Sequence, residues 1–256
     1  MRFALLGSGS EGNALVVQVG ASAVLMDCGF SVAETGMRLA RLGLEISDLS
    51  GIVVTHEHSD HISGVARLAR QHDLPVWLTH GTWRDQRKQM EGMRNVTEIS
   101  PHAAFAIGEV QVHPYIVPHD AAEPVQYVFS DGARKLGVLT DAGCATPHIE
   151  SMLGGCHALV LECNHDATML ANGDYPYFLK QRVGGRHGHL NNEQAAALLA
   201  RLDTSRLQHL VAAHLSQKNN TPELAVAALC GALGCAPEWI AVATQHEGLG
   251  WRDLAG

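Results

Sequence analysis

The chain has 256 residues, 46% of them hydrophobic, enough to bury most of its surface in one large domain or two small ones. With 18 basic against 26 acidic residues, the net charge of −8 excludes a broad nucleic-acid-binding surface and leaves room only for a local contact, or one helped by bound metal ions. The six cysteines form no CxxC pair, the opening MRFALLGSGS is too short for a signal h-region, and no stretch approaches a membrane span; together these argue against a disulfide scaffold and point to a cytoplasmic protein with no membrane contact.

Short apolar runs punctuated by glycine predict strands over 3–6, 14–19 and 23–26, with GSGSEGN and GAS as turns. Helical spacing follows over 34–42 and stops at Gly43. A buried strand is predicted over 52–55 and a helix over 62–70, with Asp60 near its start, where an acid suits the helix dipole. Strands are predicted over 75–79 and 110–117, and a hairpin joins 126–130 to 135–140 through DGAR. A strand over 158–162 precedes a glycine-rich, polar stretch, 167–188, that reads as one long loop. Amphipathic helices follow over 191–202, capped by Asn191 or Asn192, and over 222–233, capped by Thr221, with late strands over 207–213 and 240–243. Strands interspersed with helices, without repeat or linker, predict one layered α/β domain over 1–256.

The densest chemistry lies in THEHSDH, residues 55–61. His56 and His58 are two apart and share a face if the chain is extended, and Asp60 and His61 follow on the turn into the helix. Three imidazoles and a carboxylate aimed into one pocket suit zinc, or manganese or iron.

This segment resembles the HxHxDH signature of the metallo-β-lactamase superfamily. The resemblance implies an αββα sandwich with a two-metal site on one edge and further ligands at strand ends. VLMDCG supplies Asp27, VPHD supplies His119, LGVLTDAG supplies Asp141 and LVAAHLS supplies His214, so the likeness runs over residues 1–214. It implies two divalent ions per chain, one held by His56, His58 and His119, the other by Asp60, His61 and His214, with Asp141 bridging. Asp27 is then an orienting partner that does not touch metal. Two ions about 3.5–4 Å apart share a water, lower its pKa and neutralise charge on the leaving oxygen, which makes hydrolysis the reaction class.

Three other stretches bear on the substrate. The GSGSEGN turn, with Ser8, Ser10 and Asn13, is a place where backbone N–H groups can meet a phosphate. LECNHD brings Glu162, Asn164, His165 and Asp166 to a strand end, and GRHGHLNNE places His189 before a helix with Arg182 and Arg186 nearby. These stretches, with HLSQKNN, are similar to the YycJ/WalJ-like metallo-hydrolases, a group related to ribonuclease J and ribonuclease Z and associated with 5′-to-3′ DNA exonuclease activity. The resemblance implies a nucleic-acid or phosphodiester substrate, with Asp60 and His189 as catalytic residues and Ser8, Ser10, Asn13, Asn164, His165 and Arg186 as substrate contacts. No room for a β-CASP insertion exists between Asp141 and His214. One departure is visible: Asn191 stands where the group carries serine, which puts a small hydroxyl contact in doubt. Rival readings of the same metals are a thioesterase, lactonase or β-lactamase, or a non-catalytic metal-binding regulator, the last opposed by the complete ligand set.

Overall fold

A computed structural model describes residues 1–255. The first half lays down β1 (Arg2–Gly7), β2 (Ala14–Val19), β3 (Ser22–Met26), β4 (Leu49–Val53), β5 (Val76–Thr79) and β6 (Val96–Ile99). The second supplies β7 (Phe105–Ile107), β8 (Val110–Ile116), β9 (Val125–Ser130), β10 (Lys135–Leu139), β11 (Ala158–Glu162), β12 (His209–Ala213) and β13 (Ile240–Val242), and then β14 (Leu249–Asp253) returns to pair antiparallel with β1. The result is two seven-stranded sheets, ordered β14-β1-β2-β3-β4-β5-β6 and β13-β12-β11-β10-β9-β8-β7. Each is mixed: β3 to β6 and β10 to β13 run parallel, and the remaining pairs are antiparallel.

Strand alternation sorts the apolar residues into layers. In β12, Val211 and Ala213 face the other sheet, while Leu210 and Ala212 face helices. In β3, Val24 and Met26 meet the second sheet, and Ala23 and Leu25 meet the helices of the first half. Between the sheets lie Phe3, Val17, Tyr127, Phe129 and Val160, and the Tyr127 hydroxyl donates across the gap to the Val54 carbonyl (2.7 Å). Helices α1 (Val32–Arg41), α2 (Ser59–Ile62), α3 (Val65–His72) and α4 (His80–Gln86) belong to the first half. The second half carries α5 (Pro147–Leu153), α6 (Ala167–Asn172), α7 (Tyr177–Val183), α8 (Asn192–Leu199) and α9 (Pro222–Leu233). Helix, sheet, sheet, helix is the predicted αββα order. No helix among the described residues is long and apolar enough to cross a membrane.

Two expectations are corrected. The stretch 167–188 is not one loop: it holds α6, capped by the Asp166 side chain, and α7, which follows Pro176. Each spans two turns or less, too short for a period of 3.6 to show against the surrounding glycines. The helix expected over 62–70 is broken at Gly64 into α2 and α3. Gly64 is pressed so closely on the preceding loop that a Cβ would lie 1.9 Å from the Phe30 carbonyl oxygen. Strands β6, β7 and β14 and helices α4 and α5 were not predicted. Asn191 proves to be the cap of α8: its side chain accepts from the Gln194 amide and Gln194 reaches back to the Asn191 amide. A serine there would cap equally well, so the departure leaves the helix start unchanged and bears only on the hydroxyl contact.

Candidate metal centre

The parallel strands end on one edge, and the chemistry collects there. Asp27 follows β3, His56 follows β4 by three residues, Asp141 follows β10 by two, Glu162 closes β11 and His214 follows β12. Asp27, Asp141 and His214 have left-handed backbone, with φ of 60°, 52° and 55°, three of the four non-glycine residues that do. Such conformations cost of order 1–3 kcal/mol each and persist where the surroundings over-determine them. His58 is the extended N-cap of α2, so the chain turns sharply between His56 and Asp60 and brings all four local donors to one side.

Hydrogen-bond partners fix which nitrogen each imidazole presents. The single Thr55 hydroxyl proton goes to Asp27 Oδ2 (2.8 Å), so Thr55 Oγ1 accepts from His56 Nδ1 (2.9 Å) and His56 Nε2 is left bare. His119 Nδ1 donates to the Gly188 carbonyl (3.0 Å) and His58 Nε2 to the Asp120 carbonyl (3.2 Å). The remaining nitrogens, His119 Nε2 and His58 Nδ1, then face each other at 3.2 Å with two lone pairs. Three bare nitrogens on one spot repel unless a cation lies among them. Burial lowers the pKa of both His56 and His119, which favours the neutral, ligating form.

The second trio is built the same way. Asp27 Oδ2 accepts from His61 Nδ1 (2.8 Å), while Glu162 Oε1 accepts from His214 Nδ1 (3.0 Å) and His189 Nδ1 (2.9 Å). This turns His61 Nε2 to within 3.3 Å of Asp60 Oδ2 and His214 Nε2 to within 3.6 Å of the same oxygen. Asp141 lies between the trios: Oδ2 is 3.1 Å from His61 Nε2, off the line of a hydrogen bond, and Oδ1 is 3.7–3.8 Å from His214 and His119. Burial disfavours charge on His61 and His214, yet Asp141 and Asp60 outweigh it and raise both, His214 to about 10. The buried carboxylates therefore call for positive charge at this spot.

Ligand atoms of His56, His58 and His119, of Asp60, His61 and His214, and of His56, His61 and Asp141 lie within 4.8 Å of one another in each group. Among the described residues six buried side-chain atoms lack a hydrogen-bond partner, and His56 Nε2, Asp141 Oδ2 and His214 Nε2 are three of them. Such atoms are costly to bury unless something binds them, and a divalent cation fits that donor set. Glu162 also lies close to His189, His214 and Asp141, but its oxygens are already taken by both histidines and by the amides of Asp141, Ala142 and Leu190. It holds the ligands rather than the ion. The sequence places Glu162 at a strand end within LECNHD but does not reveal this orienting role.

A cavity of about 340 Å³ opens over the trios, with Ser10, Asp120, Tyr175, Arg182 and His189 in its walls. Of the expected substrate contacts, Ser10 faces it. Ser8 and Asn13 are buried instead: Ser8 Oγ accepts from the His214 amide (2.8 Å), and Asn13 donates to Gly9 O (2.9 Å) and Asp60 Oδ2 (3.1 Å). The amides of Ser8, Gly9, Glu11 and Gly12 bond within the protein, so most of GSGSEGN clamps the ligand loops and only Ser10 faces the cavity. Asn164 is likewise buried and donates to the His214 carbonyl (3.1 Å). His165 lines a different cavity, and Arg186 is exposed outside both. Arg182, in α7, takes the wall position and pairs with Asp120 (2.6 Å).

The profile of the family described as "Beta-lactamase superfamily domain" matches residues 22–214. The chain is 40% identical to Exodeoxyribonuclease YycJ of Bacillus anthracis over 88% of its length and 86% of that protein. It is 31% identical to Exodeoxyribonuclease WalJ of Streptococcus pneumoniae serotype 2, over 88% of this chain and 85% of that one. Its fold overlays that of the metallo-β-lactamase fold protein YhfI from Bacillus subtilis with a TM-score of 0.76 at 15% identity, covering 98% and 99% of the two chains. The chain belongs to the β-lactamase superfamily and, within it, to the group of the YycJ and WalJ proteins.

Proposed function

We propose that the protein is a metal-dependent phosphodiesterase that removes nucleotides from the ends of DNA, with 5′-to-3′ polarity. The observation that carries the reaction class is the convergence of bare nitrogens and buried carboxylate oxygens beneath an open cavity. The exodeoxyribonuclease names of the similar YycJ and WalJ proteins support the substrate. In this reading His56, His58 and His119 hold one ion, Asp60, His61 and His214 a second, and Asp141 reaches both. Zinc and manganese, and iron at the harder end, suit these donors. Divalent ions there supply an activated water and neutralise charge building on the scissile phosphate. His189, gripped by Glu162 through Nδ1, keeps its other nitrogen for the cavity, where it steadies a non-bridging oxygen or passes a proton to the leaving oxygen. Arg182 and Ser10 are placed to contact the phosphate backbone.

The test is a nuclease assay on 5′-labelled single- and double-stranded DNA and RNA, with Mn²⁺ and Zn²⁺ compared. Nucleotides released from DNA ends are expected. His58→Ala and Asp141→Asn should each abolish release while circular dichroism stays unchanged; asparagine tolerates left-handed backbone, so position 141 keeps its geometry. Full activity in either variant refutes the assigned centre.

A further inference from the structure

Helix α7 divides two cavities. Leu179, Arg182 and Val183 line the metal cavity, while Tyr177, Lys180, Gln181 and Gly184 line a second one of about 520 Å³. The two sets alternate as opposite faces of a 3.6-residue period. None of the α7 residues is buried, and Tyr177 and Phe178 are 77% and 72% exposed, two of the six large apolar side chains so placed among the described residues. A helix without a buried face is unusual unless something packs on it. Its charge is one-sided too: from Tyr175 to Asn192 the chain carries Lys180, Arg182 and Arg186 and no acid, in a protein of net charge −8.

The second cavity has three kinds of wall. Tyr177, largely exposed, supplies an aromatic side chain, and Leu170 with Ala167 and Ala171 an apolar side. Polar groups stand at the back. His165 is buried, with Nδ1 3.3 Å from Asn164 Oδ1, and its Nε2 is 3.9 Å from where a Cβ on Gly184 would stand, so the missing side chain leaves that nitrogen open to the cavity. Gln181 also lines this cavity. An aromatic side chain, polar groups and one cation, Lys180, match a flat ring that has hydrogen-bonding edges and an attached phosphate.

We propose that this cavity is a nucleobase subsite, which takes the base of a nucleotide adjoining the scissile phosphate while the backbone crosses α7 between Lys180 and Arg182. Tyr177 stacks on the base, and Gln181 and His165 meet its edge. The proposal rests on the nuclease reading, and it gives the otherwise acidic chain a local grip on single-stranded DNA.

The test compares the unmodified enzyme, Tyr177→Ala, Tyr177→Phe and Ala171→Trp on two substrates. One is a short oligothymidylate, with or without a single abasic residue next to the terminal phosphodiester. The other is bis(4-nitrophenyl) phosphate, which has no base to bind. Tyr177 and Ala171 are exposed, so these changes spare the core. Tyr177→Ala should raise the oligonucleotide KM about tenfold relative to its effect on the small diester. Tyr177→Phe should restore it, Ala171→Trp should mimic the loss by filling the cavity, and the abasic substrate should erase the difference between variants. Oligonucleotide cleavage with equal KM in all four proteins overturns the subsite and leaves the nuclease reading standing. Turnover of the small diester with every oligonucleotide intact overturns the nuclease reading and the subsite with it.

Discussion

Asp27 and Glu162 decide which nitrogen faces the cavity in His56, His61, His189 and His214. Asp27 accepts three hydrogen bonds, from the Thr55 amide, the Thr55 hydroxyl and His61 Nδ1, each at 2.8 Å. Through Thr55 it also sets the tautomer of His56, so one carboxylate governs a ligand in each trio. Asp27→Ala removes that control while leaving every ligand in place. The expected result is a 10–100-fold loss of metal affinity, read by competition with a chromophoric chelator; unchanged affinity would show that the histidines hold their orientation without it. Asp27 was legible through the family resemblance that VLMDCG carries. Its reach through Thr55 was not, because a hydroxyl's single proton can be assigned only when all its neighbours are known. Ser8 and Asn13 were misread for the same reason. A polar turn beside a site looks alike in sequence whether it faces substrate or clamps ligands, and burial decides.

At the scale of elements, spacing governed what could be read. THEHSDH was legible because its donors are local, and the strands leading to Asp141 and His214 because each carries an uncharged, largely apolar run, LGVL and LVAA. Helices α6 and α7 were not, being six and seven residues in a glycine-rich setting. The break at Gly64 was also hidden, since it arises from contact with residues some thirty-five positions earlier. That contact can be tested. Gly64→Ala, and Gly29→Ala, whose Cβ would lie 1.9 Å from the Asp60 carbonyl, should push α2 and its ligands away, lowering both melting temperature and activity. Gly36→Ala is the control: it lies inside α1 with only Ile46 Cδ1, at 3.5 Å, nearby. There alanine should stabilise by about 0.5–1 kcal/mol in a denaturant titration. A stable, active Gly64→Ala enzyme would mean that the loop yields freely.

Across the whole molecule, each trio draws on both sheets. His56, His58, Asp60 and His61 follow β4 of the first sheet, while His119, Asp141 and His214 follow β8, β10 and β12 of the second. The apolar layers between and outside the sheets contain none of these residues. Removing ions should therefore leave the fold intact and loosen the join. A chelator is expected to lower the melting temperature by about 5–10 °C, for ions present at about a hundred times their Kd, with far-ultraviolet circular dichroism unchanged. Melting that ignores the chelator would show that the centre carries no stabilising ion.

The same division has a further consequence. Neither sheet alone offers a complete trio, and the last donor, His214, arrives only when five-sixths of the chain has been made. A half-synthesised, truncated or half-unfolded chain has no assembled centre and cannot cut. On the proposed nuclease reading the architecture acts as an interlock: hydrolysis is licensed by complete folding.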